Sequence, residues 1–163
     1  MLNPTYNPTI FARAPALYAD ICHLLDVPPA TLPTHPTFHS LQSTPPLALR
    51  EYTSRLRDLT VAPDPAPLLA HAYVRYLGDL SGGQIIRRHV VDVYGLDDDT
   101  GAQFYQFQKL GGGGTASLGD IKRIKEWYRD GMNAGVRDDH DLKGQLRVHP
   151  FSPPAADHLV RRQ

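Results

Sequence analysis

The chain has almost no cysteine, one tryptophan, and no surplus of charge of either sign. Its single cysteine, Cys22, excludes an internal disulfide and suits a reducing compartment. Seventeen basic and 17 acidic residues cancel to a formal net charge of zero. That balance removes the electrostatic motive for a nucleic-acid or anionic-membrane partner. No apolar run approaches the ~18–20 residues needed to span a bilayer. The opening Met1-Leu-Asn-Pro-Thr-Tyr-Asn-Pro8 carries neither the basic nor the apolar part of a secretion signal. The expectation is a soluble, monomeric, cytoplasmic protein, and 163 residues suffice for one domain with one core.

Proline and glycine occupy different parts of the chain. Twelve of the 15 prolines precede residue 68, the other three lie at or after Pro150, and all 13 glycines lie from Gly78 onward. Long helices are therefore permitted from Leu68 to His149 and disfavoured on either side. Residues 10–26 read as a helix, with Leu17, Ile21, Leu24 and Leu25 at helical spacing. Residues 27–43, with four prolines, read as an extended loop. Thr44 and Pro45 give a cap and a first-turn proline for a helix to about residue 60. Its stripe is Leu49, Tyr52, Leu56 and Leu59.

Asp64-Pro65 repeats the start signal for a helix from about 66 to about 94. Leu69, Ala72, Tyr73, Tyr76, Leu77 and Leu80 lie on one side of it. Gly95 and Asp97-Asp-Asp99 end it. An aromatic segment, Phe104-Tyr-Gln-Phe107, and a flexible loop, Gly111–Gly114, follow. A last helix from about Ser117 to Asn133 buries Ile121, Ile124, Trp127 and Tyr128. No alternating strand pattern is present, so the fold class is all-α. Residues 1–133 form the helical core, and 134–163 a polar, proline-containing tail of poor order.

Gly78, Gly82 and Gly83 interrupt an otherwise good helix, each at a cost of ~1 kcal/mol relative to Ala. Gly78 and Gly82, four apart, would share a face with little side chain on it. Close packing of a second helix, a simple break, or a flat body lying on exposed backbone would each offset that loss. Asp79 stands beside the strip, with Arg75 placed at i−4 for a salt bridge. Its functional reading is a water-organising or proton-relaying carboxylate.

The run Ala70-His-Ala-Tyr-Val-Arg-Tyr-Leu-Gly-Asp-Leu-Ser-Gly-Gly-Gln84 resembles the distal-helix signature of the eukaryotic haem oxygenase family. Lys125-Glu-Trp-Tyr-Arg-Asp-Gly-Met-Asn133 resembles the family's later haem-contacting helix, and Gly101–Phe107 its linking segment. The resemblance covers roughly residues 8 to 133. It implies an all-α fold with haem, both substrate and prosthetic group, held between two helices. It also implies cleavage to biliverdin, ferrous iron and carbon monoxide with O2 and electrons from an NADPH-dependent reductase. By the same resemblance Gly78 and Gly82 cross the haem face and Gly83 bends the helix. Asp79 organises the distal water network together with Arg75, and Tyr73, Lys125 and Arg129 hold the propionates. The family also allows residence at the cytosolic face of the endoplasmic reticulum.

The chain departs from the family's pattern in two places. No residue matches the family's proximal histidine, so the iron ligand is unknown, and the last helix is missing from the pattern. The core therefore reads as truncated at both ends. His35, His39, His140, His149 and His158 fall in expected loops or tail, His23 and His89 read as structural or surface residues, and Cys22 as buried. The alternatives are a non-catalytic haem-binding or sensing module, and a fragment without activity of its own.

Overall fold

A computed structural model describes residues 7–64, 66–96 and 100–136. Among them the order is α1 (Pro8–Phe11), α2 (Ala14–Leu24), a 3-10 turn (Leu32–Thr34), α3 (Pro36–Ser43), α4 (Leu47–Val61), α5 (Ala66–Asp79), α6 (Gly82–Tyr94), a second 3-10 turn (Gln103–Tyr105) and α7 (Leu118–Val136). The one extended pairing among these residues is an isolated bridge between Gln108 and Thr115. The all-α reading is correct. The bridge closes the glycine loop, where Gly112, Gly113 and Gly114 all adopt positive φ that other residues disfavour.

Several boundaries differ from the sequence reading, each for a local reason. The first helix is two: the Asn7 side chain caps α1, and Ala12 leaves the helical region before α2 begins. The expected loop at 27–43 holds α3, because Pro36 takes the first helical position, where its missing N–H costs nothing. His39 accordingly sits on a helix rather than in a loop. Thr44 does not cap α4. Pro46 does not let Pro45 turn helical, so α4 starts at Leu47 without a side-chain cap. The Asp64 signal does hold, its carboxylate accepting the Ala66 N–H at 2.9 Å. Gly95, at φ +60°, ends α6. Asp97–Asp99 and residues 137–163 lie outside the described residues, and α7 continues past the expected end at Asn133 to Val136.

The core joins α1, the end of α5, the 103–107 segment and α7. Ile10, Phe11, Leu80, Phe107, Ile121, Ile124, Tyr128 and Met132 bury together, with Leu69, Tyr76, Leu77 and Trp127 packed around them. Burying an aliphatic or aromatic side chain contributes about 1.5–3 kcal/mol, so this cluster fixes α7 against the α5–α6 junction. Phe11 sits at its centre, 4.3 Å from the Tyr76 ring and 5.1 Å from that of Tyr128. The α4 stripe is less well covered: Leu49 and Tyr52 are exposed, and Leu56 and Leu59 half-buried. Cys22 is buried, as expected.

A reciprocal cap starts α7. The Asp120 carboxylate accepts the Ser117 N–H at 2.9 Å and the Ser117 hydroxyl at 2.7 Å, while Ser117 Oγ accepts the Asp120 N–H at 3.3 Å. Bonds from the Ser117 side chain and backbone, then from Arg123, pull the Asp120 carboxyl down to about 2 from its ordinary 3.8. A carboxylate with a depressed folded pKa adds stability above its unfolded pKa and loses it as pH falls through the folded one. The denaturant midpoint should therefore decline as pH drops from 3.8 toward about 2. Asp120→Asn should flatten that part of the profile. An unchanged profile in the variant would refute the cap's role.

Candidate haem-binding face

The helix expected over 66–94 breaks at Leu80–Ser81. Leu80 turns into the core, and Ser81 adopts φ −119°, ψ −86°, outside the helical region. The break leaves the Asp79 carbonyl without the N–H that a continuous helix would offer. The Gln84 side-chain amide replaces it, donating to Asp79 O at 3.1 Å and to Tyr105 O at 2.9 Å. Gly78 thus closes α5 while Gly82 opens α6, so the two do not stand four apart on one helix face as the spacing suggested. A Cβ at either position would meet nothing within 4 Å. Gly83 differs: it is buried, and a Cβ there would lie 2.9 Å from the Tyr105 ring.

The surface at this break is exposed. Gly78, Ser81 and Gly82 are exposed. Val74 on α5 and Ile85 and Ile86 on α6 are exposed large apolar residues of the same helices. Val74 stands four residues before Gly78, and Ile85 and Ile86 three and four after Gly82, so each shares a face with its glycine.

Asp79 lies at this break with its side chain turned inward, only 6% exposed. Arg75 Nε stands 3.3 Å from its carboxylate, the i,i+4 pair expected from the sequence. Burial raises the Asp79 pKa above the ordinary carboxylate value, and the charges of Arg75 and Arg13 oppose the rise. The Arg75 guanidinium also lies 5.4 Å from the Phe104 ring centroid.

Tyr73, Lys125 and Arg129 come from two helices that meet. The Tyr73 ring stacks on Tyr128 of α7 at 6.3 Å. Lys125 lies one turn before Tyr128 and Arg129 directly after it. Lys125 is half-buried and Arg129 exposed. Neighbouring cations of α7 are paired, Lys122 with Glu126 and Arg123 with Asp120. Lys125 and Arg129 have no such partner among the described residues. Burial, then the neighbouring Tyr76 and Tyr73, push the Tyr128 hydroxyl pKa up, so it stays a neutral member of the cluster.

The chemistry of these residues is bare backbone at Gly78 and Gly82, a buried carboxylate at Asp79, and two cations on α7. An axial iron ligand is not among their contacts. His71 packs edge-on against Tyr52 at 5.8 Å, and the His23 ring lies against Gly101. Burial, followed by the charge of Arg55, lowers the His71 pKa. No group of three or more His, Cys, Asp or Glu residues that could hold a metal ion occurs among the described residues. Sequence reasoning missed Arg13, Asp20 and Gln84 as supports of the break. Gln84 lay inside the recognised run with no role assigned. Arg13 and Asp20 reach partners 83 or more residues away, which no local pattern reveals.

A family model described as heme oxygenase matches residues 37–146. A heme oxygenase 1 of Nostoc sp. is 40% identical over 82 residues, 50% of this chain and 31% of that protein. A heme oxygenase 2 of Synechocystis sp. is 37% identical over 94 residues, 58% of this chain and 34% of that protein. A heme oxygenase 1 of Pongo abelii is 34% identical over 88 residues, 53% of this chain and 27% of that protein. The aligned stretch spans about a third of the length of these relatives. No solved structure matches.

Proposed function

The chain belongs to the haem oxygenase family, and on that premise we propose that it binds haem on the exposed glycine surface of α5 and α6 and cleaves it to biliverdin, ferrous iron and carbon monoxide. O2 and electrons from an NADPH-dependent reductase complete the reaction. The observation that carries this reading is the bare backbone at Gly78 and Gly82 beside the inward-turned carboxylate of Asp79. When bound, haem supplies the oxygen-activating iron and the carbon that is oxidised, and the chain supplies binding, orientation and protons.

In this reading Gly78 and Gly82 let the ring approach the main chain, and Gly83 with Tyr105 keeps the break rigid. Asp79 organises water above the ring and passes protons at its carboxylate, with Arg75 keeping that carboxylate oriented and biased toward its charged form. Tyr73, Lys125 and Arg129 meet the two propionates. The haem-binding core belongs within residues 1–133 and acts as a monomer. A cytosolic setting, free or at the cytosolic face of the endoplasmic reticulum, goes with it. No described helix is long and apolar enough to cross a membrane.

The glycines give a test that separates folding from binding. Gly78→Ala adds a methyl to open space, so the haem-free chain should hold its stability or gain up to ~1 kcal/mol from helix preference. The same methyl would lift the ring, and haem affinity should fall about 10-fold, in line with an overpacking cost of roughly 1–3 kcal/mol. Gly83→Ala should instead destabilise the haem-free chain by about 1–3 kcal/mol, because Tyr105 must move. Denaturation and haem titration of both variants read this out. Equal haem affinity in wild type and Gly78→Ala would remove the ring from this face.

A second reading, a haem-binding module without turnover, follows from the resemblance, which puts no residue of this chain at the family's proximal histidine. Haem bound without any verdin product in the presence of reductase and NADPH would select it.

A further inference from the structure

Segment 103–107 lies behind the break, and two residues distant in sequence hold it from both sides. The buried Asp20 carboxylate of α2 accepts the N–H of Gln103 at 2.8 Å and that of Phe104 at 2.7 Å. Arg13, just before α2, serves the opposite side of the same peptides. Its Nη2 donates to the carbonyls of Gln103 at 2.6 Å and Gln106 at 2.5 Å, and its Nε to that of Phe104 at 3.0 Å. Its guanidinium also lies 4.7 Å from the Phe107 ring centroid. A lysine ammonium, with a single nitrogen, cannot reproduce the two separate donors Nε and Nη2 of this planar fork.

What the clamp holds is the support of Asp79. Phe104 carries the Arg75 guanidinium that pairs with the Asp79 carboxylate. Tyr105 shares the Gln84 amide with the Asp79 carbonyl, and its ring covers Gly83. The charged groups that act on Asp79 are Arg75 from its own helix and Arg13 from the start of α2, while Asp20 faces Arg13. Gln84 from α6 and Phe104 from the segment are neutral. Arg13 and Asp20 both lie outside the residues that match the family model.

We propose that Arg13 is a positioning residue for Asp79, with Asp20 as its co-anchor: they fix the 103–107 segment that holds Arg75 and Gln84 in place, and Arg13 adds a second positive charge facing the carboxylate. The proposal rests on the reading of Asp79 as the proton-handling group, but its test requires no haem.

The experiment follows the Asp79 carboxyl carbon by NMR across pH in the haem-free full chain, with hydrogen exchange at the 103–107 amides. Arg13→Gln should move the Asp79 midpoint upward and speed exchange in the segment by about 10-fold or more, as loss of charge-assisted bonds implies. Arg13→Lys should restore most of the midpoint but not the slow exchange. Asp20→Asn should speed exchange at Gln103 and Phe104. An unmoved midpoint and unmoved exchange in Arg13→Gln overturn the proposal. Should that variant fail to fold, Arg13→Lys decides: faster exchange with the midpoint held supports it, and wild-type exchange overturns it. A chain that shows these shifts yet binds no haem refutes the haem reading and leaves the coupling standing.

Discussion

Replacing Asp79 with Ala should lower verdin formation by ~10²–10⁴-fold, the range lost with a positioned proton-transfer group, while haem affinity changes little. The carboxylate is buried and paired with Arg75, so it adds little contact area to a ring lying on Gly78 and Gly82. Its effect belongs to proton delivery. Burial raises its pKa against the pull of Arg75 and Arg13, and the sign has two consequences. If the ionised form organises water, turnover should fall on the acid side at a pH above the ordinary carboxylate range. Stability should run the other way. The folded chain holds the Asp79 proton more tightly than the unfolded chain, so stability is greatest below the unfolded pKa and declines as pH rises through the folded one. Asp79→Asn should abolish both dependences. Single-turnover absorbance with reductase and NADPH measures the first, and denaturation across pH the second. Wild-type turnover in Asp79→Ala would remove this residue from the chemistry.

Reversing Lys125 and Arg129 together to Glu should weaken haem binding by about 10²-fold or more. A hydrogen bond to a charged partner contributes roughly 1.5–3 kcal/mol. The low end applies here because Arg129 is exposed and Lys125 only half-buried, and two such bonds at the low end give about 10²-fold. The two cations are available for this task because α7 pairs Lys122 and Arg123 internally and leaves these two without a described partner. Affinity should also fall with added salt, since exposed charges are screened over about 10 Å at 0.1 M. Haem with esterified propionates provides the control. It should bind wild type and the double variant alike, and a difference would place the propionates elsewhere. Tyr73→Phe should have a smaller effect, since its ring keeps the stack on Tyr128.

Local chemistry was legible in the sequence wherever the signal itself was local. The α7 face of Ile121, Ile124 and Tyr128 was read from spacing and is buried. The Arg75–Asp79 pair was read from its i,i+4 placement and forms. The Gly95 stop was read from residue type, and the residue takes the left-handed conformation. What escaped was settled by competition between neighbours or by distance. Pro36 had counted against a helix, yet it sits at a helix start. Thr44 offered a cap, yet two successive prolines delay α4. The helix over 66–94 had the right periodicity throughout, but burial of Leu80 and the three glycines favour a break over continuity. That break changes the geometry of the glycine strip: Gly78 and Gly82 are open not because they share one helix face but because they flank a helix junction. The hold of Arg13 and Asp20 on segment 103–107 spans most of the described chain and has no periodic signature.

The central claim, that Gly78, Gly82, Tyr73, Lys125 and Arg129 form one haem-binding face, is tested most directly by NMR mapping of ferric haem titrated into the full chain. The account predicts saturable broadening and shift changes confined to residues 73–86 and 125–129, abolished in the Lys125→Glu, Arg129→Glu double variant. Changes centred on His23, His39 or α4, or a titration that does not differ between wild type and the double variant, would contradict it.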